Sequence, residues 1–215
     1  MANHKTVYFV RHGQSEANVA PVFQGPDSPL SEEGRVQADK IAERVSKLSF
    51  EALISSSVLR AKQTAEAIGQ ATAKIPEYNE LFIEGVKPSG ARGKSYDDAE
   101  ASALWRRWEH SLVTPGVRVE DGENYDDLIA RADKALTWLL ERPEQALVVV
   151  THSLLLKTLV VRTMLGKTLT PDNFKTFDSR VLTENTGLTV LRYEKAFEEG
   201  PCWRVWIYND HAHLG

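Results

Sequence analysis

Short apolar runs alternate with amphipathic stretches along this chain. Thr6 to Val10 reads TVYFV, a β-branched and aromatic run that ends at Arg11-His12-Gly13 and predicts a buried strand. From Ser31 the chain reads SEEGRVQADKIAERVSKL, with Val36, Ile41, Val45 and Leu48 at roughly helical spacing and two glutamates in the first turn, so an amphipathic helix is expected. A second strand is predicted at Ala52 to Ser55, followed by a helix in which Leu59, Ala65 and Ile68 share a face. The continuous apolar run Ala146 to Val150 predicts a third strand, and after Thr151-His152-Ser153 another apolar helix. Between Gly85 and Gly122 the pattern weakens around one helix near EASALWRRWEH. A further helix is expected over 123–141, and strands near GLTVLRYE and CWRVWIY. Three strand-to-helix junctions predict an α/β fold, a three-layer α/β/α sandwich with a mostly parallel central sheet.

Composition narrows the chemistry. The 215 residues, 42% of them hydrophobic, suffice for one sizeable core, so residues 1–215 are read as one domain. A formal net charge of -4 gives no general attraction to nucleic acid or to an anionic membrane, so any bound anion must meet a local basic pocket. Cys202 is the single cysteine, which excludes an intramolecular disulfide and a multi-thiolate zinc site. No apolar run approaches the roughly 18 residues of a membrane span, and the start lacks a secretory pattern. A cytoplasmic protein is expected, with no partner beyond its small substrate assigned.

Three motifs carry chemistry. Arg11-His12-Gly13 follows the first strand, Arg60 falls in the first turn of the helix after the second, and His152 follows the third. Sheet topology gathers the C-terminal ends of parallel strands, so two arginines and two histidines converge there. Such a set supplies a nucleophile and charge stabilisation for a phosphoryl group without a metal or other cofactor. The marks of P-loop, cysteine-phosphatase and zinc-hydrolase chemistry are absent.

The segments VRHGQSEAN, QGPDSPLSEEG, SSSVLRAKQTAEAI, LFIEGVKPSGARGKS, DGENYDDLIARADKAL and VVVTHSLLLKTL follow one another in an order that resembles the histidine phosphatase superfamily, the phosphoglycerate mutase-like proteins. The resemblance covers nearly the whole chain. It implies a phosphoglycerate mutase-like fold, and the weakened pattern over 85–122 is read as an insertion over the sheet that caps the site. It further implies that His12 attacks phosphorus, that Arg11, Arg60 and His152 hold the phosphate of a small phosphorylated substrate, and that Glu84 matches the acid. Glu80, four residues earlier, is the alternative carboxylate. Nearby Arg11 and Arg60 would keep His12 neutral, and which ring nitrogen attacks depends on where the other is hydrogen-bonded.

Asn18, Gln24 and Ser153 are secondary candidates for binding phosphate oxygens, and Ser153 stands where many members carry glycine. Lys87, Arg92 and Lys94 are expected to be solvated loop charges. Trp105 and Trp108 are expected to serve packing, and His4, His110, His211 and His213 receive no role. The activity expected is hydrolysis of phosphate monoesters through a phosphohistidine. The alternatives are a 2,3-bisphosphoglycerate-dependent phosphoglycerate mutase and a non-catalytic phosphate-binding module.

Overall fold

The opening apolar run forms β1 (His4–Arg11), which alternates its side chains between two cores. The computed structural model describes residues 4–195, 200 and 202–215. In chain order there follow α1 (Glu16–Val19), α2 (Glu32–Ser46), β2 (Ala52–Ser55), α3 (Leu59–Thr72) and β3 (Glu77–Tyr78). Then come α4 (Ala99–Ser111), α5 (Tyr125–Glu141), β4 (Ala146–Thr151), α6 (Ser153–Leu165), α7 (Pro171–Arg180), β5 (Leu188–Glu194) and β6 (Cys202–Asp210). The strands order as β3-β2-β4-β1-β5-β6. The pairs β3/β2, β2/β4 and β4/β1 are parallel, whereas β5 and β6 join antiparallel, giving the mostly parallel sheet expected.

Period-two alternation explains the layers. Val7, Phe9, Leu147 and Val149 face a core built with α4, α5 and α6, while Val10, Val148 and Val150 face one built with α2 and α3. Because β4 is covered on both faces, its run is apolar throughout rather than alternating.

Two expected core positions are corrected. Val36 is 45% exposed, because the buried stripe of α2 runs through Ala38, Ile41, Ala42 and Val45, and Val36 lies two residues off it. Leu59, 37% exposed, begins α3 beside the site, while Ala65 and Ile68 are fully buried. The cap of α2 matches its sequence signal: Ser31 Oγ accepts from Gly34 N at 3.0 Å. Gly34 itself is required by proximity, since a Cβ there would stand 1.8 Å from the Gln14 carbonyl oxygen, in the turn that follows His12.

Lys5 ties β1 to α5 by donating from its buried ammonium to the carbonyls of Leu139, Leu140 and Arg142 at the helix C-terminus. The segment 85–122 contributes α4, whose Leu104 and Trp108, with Leu112 just past its end, enter the same core as Val7 and Phe9. Short β3 and α7 had no distinct signal in the pattern. Among the described residues no helix is long and apolar enough to cross a membrane.

Candidate active site

Parallel pairing brings the motifs together. Arg11 lies opposite Thr151 and Ser55 opposite Val150, so His12, Ser56 and His152 leave the sheet side by side. His12 N donates to Thr151 O at 3.0 Å and Ser56 N to Val150 O at 2.9 Å, extending the ladder by one residue at each junction. The two imidazole rings stand 4.9 Å apart.

His12, 2% exposed, sets its Nδ1 2.7 Å from the carbonyl oxygen of its neighbour Gly13. A carbonyl only accepts, so we assign the proton to Nδ1, which leaves the lone pair on Nε2. Arg60 Nε donates to that Nε2 at 3.2 Å. Burial first, then the charges of Arg60 and Arg11, hold the His12 pKa well below the usual histidine value, so the ring is neutral near pH 7. Arg60, also 2% exposed, has its pKa lowered by burial to about 10 and stays charged. Thr64 Oγ donates to Arg60 O and accepts from Gly13 N, bracing the two segments against each other.

His152 Nε2 lies 2.8 Å from Ser56 Oγ, which already accepts from Val58 N. Assigning the hydroxyl proton to Nε2 makes Nδ1 of His152 a donor. Burial, with Arg60 and His12, keeps this imidazole well below its usual pKa as well. His152 Nδ1 and Arg11 Nε are both buried without a hydrogen-bond partner among the described residues. Arg11 is anchored instead through Nη1, which donates to Thr183 O, and Asn185 Nδ2 donates to His12 O at 2.9 Å.

Glu84 lies beside these groups. Its Oε1 accepts from Gly85 N at 3.0 Å and from Leu154 N, in the first turn of α6, at 3.2 Å. The loop carrying it is held by Arg131 on α5, which donates to Leu81 O, Ile83 O and Glu84 O and forms a largely buried pair with Glu123 at 2.6 Å. Glu123 in turn accepts from Val86 N at 2.9 Å. Glu80 starts a 3-10 turn (Glu80–Phe82) and is exposed, although it lines the same pocket of about 420 Å3 as Glu84 and Arg60.

The secondary candidates are placed differently. Asn18 turns its Oδ1 back to the amide and hydroxyl of Ser15, capping α1, which leaves only its Nδ2 to offer a ligand. Gln24 lines the pocket and donates Nε2 to Ser15 Oγ. Ser153 Oγ meets the Thr183 hydroxyl, so the side chain that replaces glycine ties α6 to the loop holding Arg11.

One sequence expectation is overturned here. Lys87 is not a solvated charge: it lines the pocket with Arg92, its ammonium lies 5.6 Å over the Trp105 ring, and burial lowers its pKa. Arg92 donates Nε to Lys87 O at 2.8 Å, fixing that turn. Lys94 does sit at the surface, 3.8 Å from Asp98. Trp108 is buried as expected, whereas Trp105 is partly exposed. His213, given no role, bridges Arg44 and Thr186, and Thr186 N donates to Arg11 O. Ser56, Thr64 and Asn185 were also missed. Ser56 had a usable signal, since it follows β2 as His12 follows β1; the others are fixed by tertiary contacts alone. Among the described residues no three His, Cys, Asp or Glu converge as metal ligands.

Known proteins share this arrangement of elements. The family described as histidine phosphatase superfamily (branch 1) matches residues 7–204. The chain is 31% identical over 212 residues to a protein named probable phosphoglycerate mutase GpmB from Citrobacter koseri, covering 97% of this chain and 94% of that one. Among solved structures, native mycobacterial glucosyl-3-phosphoglycerate phosphatase superposes with a TM-score of 0.75 at 25% identity, covering 96% and 99% of the two chains. Phosphoserine phosphatase from Entamoeba histolytica, in complex with 3-phosphoglyceric acid, shares the fold at a TM-score of 0.74 and 20% identity, over 98% and 100%. A family match spanning almost the whole sheet, and a relative above 30% identity over nearly the full length, place this chain in the histidine phosphatase superfamily.

Proposed function

We propose that this protein is a metal-independent phosphatase that hydrolyses small phosphate monoesters through a phosphohistidine on His12. The observation that carries the reading is the His12 ring: neutral, with Nδ1–H committed to Gly13 O and the Nε2 lone pair beside Arg60. In this reading Nε2 attacks phosphorus in line while Arg11, Arg60 and His152 neutralise the equatorial oxygens. The unpartnered Arg11 Nε and His152 Nδ1 support it, because buried donors are costly unless an acceptor meets them and phosphate oxygens are acceptors. Glu84 gives its proton to the departing ester oxygen, then takes one from the water that cleaves the P–N bond, releasing inorganic phosphate and restoring both groups. Its place at the amide of Leu154, next to His152, favours it over exposed Glu80.

Residues 1–215 act in this reading as one domain, with 85–122 as a cap. The lone Cys202 goes with a reducing, cytoplasmic setting. Capture by water is favoured because the pocket beside Glu84 has an exposed rim at Pro26, Asp27, Leu59 and Glu80, whereas a mutase must hold its intermediate away from water. Lys87 and Arg92 in that pocket favour the second reading, a 2,3-bisphosphoglycerate-dependent phosphoglycerate mutase, since they add the cationic groups a doubly anionic substrate needs. The deciding experiment offers 3-phosphoglycerate with catalytic 2,3-bisphosphoglycerate beside a panel of monoesters, following isomerisation and phosphate release together. Phosphate release from several monoesters is expected. Fast isomerisation with negligible release would establish the mutase, and tight phosphate binding with neither activity a binding module.

A further inference from the structure

A second cleft, of about 630 Å3, opens from two side chains, Glu84 and Lys87, that also line the pocket beside Arg60. It runs between α4, the first turn of α6 and α7. Its accessible wall is apolar, formed by Trp105, Val113 and Leu154, over a buried floor of Trp108, Leu112 and Phe174. The wall is rigid where it matters: the Trp105 ring is stacked on Phe23 at 4.7 Å and tilted on Trp108 at 5.0 Å. Beyond Glu84 and Lys87 at its inner end, the cleft carries charge at Glu109, Lys175 and Asp178, and Asp178 is engaged by Lys157 at 3.0 Å.

We propose that this cleft receives the leaving alcohol, and that the substrates are phosphate monoesters whose alcohol or phenol carries a ring-sized apolar group. The inference rests on the reading of Glu84 as the acid. A proton donor must touch the ester oxygen, so the first carbon of the leaving group begins at Glu84, and from there two ways lead out. The first mixes Pro26, Leu59, Ile83 and Val86 with the charges of Arg60, Lys62, Arg92, Asp27 and Glu80 and presents no aromatic ring, so a ring entering it displaces water from charges and finds nothing to stack on. The second offers tryptophan and aliphatic surface in a volume that holds a bicyclic ring.

The test is calorimetry on His12→Ala, which binds without turnover, using 2-naphthyl phosphate and phenyl phosphate, two esters alike at the phosphorus. The naphthyl ester is expected to bind roughly tenfold more tightly, a ratio that needs only about 55 Å2 of apolar surface removed from water. Val113→Trp, which fills the cleft, is expected to bring the ratio near one. Equal affinities in His12→Ala overturn the proposal without any further variant, so a cleft variant that fails to fold does not protect it. A preference that survives Val113→Trp and is lost in Leu59→Trp, in the charged pocket, overturns it too. Phosphate release by the unmodified protein tests the hydrolase reading separately: no release from either ester defeats that reading, whatever the affinity ratio shows about the cleft.

Discussion

His12 illustrates how much a single proton position decides. With Nδ1–H held by Gly13 O, the ring can neither rotate nor present its other nitrogen without losing that bond. Replacing His12 by Ala is expected to lower kcat by roughly 10,000-fold or more while leaving the melting transition cooperative, because the covalent route is gone and the fold is not. Wild-type rates in that folded variant would remove His12 from the nucleophile's role. For Glu84→Gln the expected loss is about 100- to 10,000-fold on alkyl esters and much smaller on activated aryl esters, which depart without protonation. The measurement is a plot of rate against leaving-group pKa; if Glu80→Gln steepens it and Glu84→Gln does not, the acid is Glu80. Because arginines and histidines organise the phosphate site, activity is expected to persist in excess chelator and to be inhibited by vanadate. Restoration by a divalent ion after chelation would contradict this. At this scale His12, Arg60 and His152 could be read from sequence since each sits one to five residues past a strand end. Lys87 could not, because its burial comes from tertiary packing, including the Trp105 ring brought in by α4.

Between elements, Arg131 does for the Glu84 loop what the sheet does for His12. One guanidinium on α5 gathers three loop carbonyls and Glu123, which itself fixes Val86 N, so the loop and α5 share a single buried knot. Arg131→Met is expected to cost about 3 kcal/mol of stability by stranding Glu123. It should also steepen the leaving-group dependence as Glu84→Gln does, a kinetic signature that simple destabilisation would not produce. Urea denaturation and the rate plot together check it. The helices themselves were legible where a cap and a stripe agree, as in α2, where Ser31 and the run from Ala38 to Val45 mark the start and the buried face. They were misread at their solvent edges. Val36 is apolar yet lies off the stripe, and Leu59 is apolar because it borders a pocket rather than a core.

For the whole molecule, pH dependence follows from histidines buried uncharged. A folded pKa below the unfolded one means that the unfolded chain takes up protons first, so this stability is complete above about pH 6.5 and is lost as pH falls toward the folded values. For His213, between Arg44 and Thr186, the folded value is about 4, and for His12 and His152 it is also well below normal. The urea midpoint is therefore expected to be level from pH 7 to 8 and to fall steadily below 6.5; a midpoint that rose on acidification would show these rings charged in the folded state. The layered architecture was readable because three strand-helix junctions repeat. Strand order was not, because pairing joins segments far apart in sequence, and here β4 lies between β1 and β2. That placement governs how the chain must be made. During synthesis β1 and β2 emerge early, but neither has a long partner until β4 leaves the ribosome, and β5, the other neighbour of β1, comes later still. A nascent chain ending at Gln145 thus carries apolar strands with open edges, should be protease-sensitive and chaperone-dependent, and becomes resistant only after β5 is released.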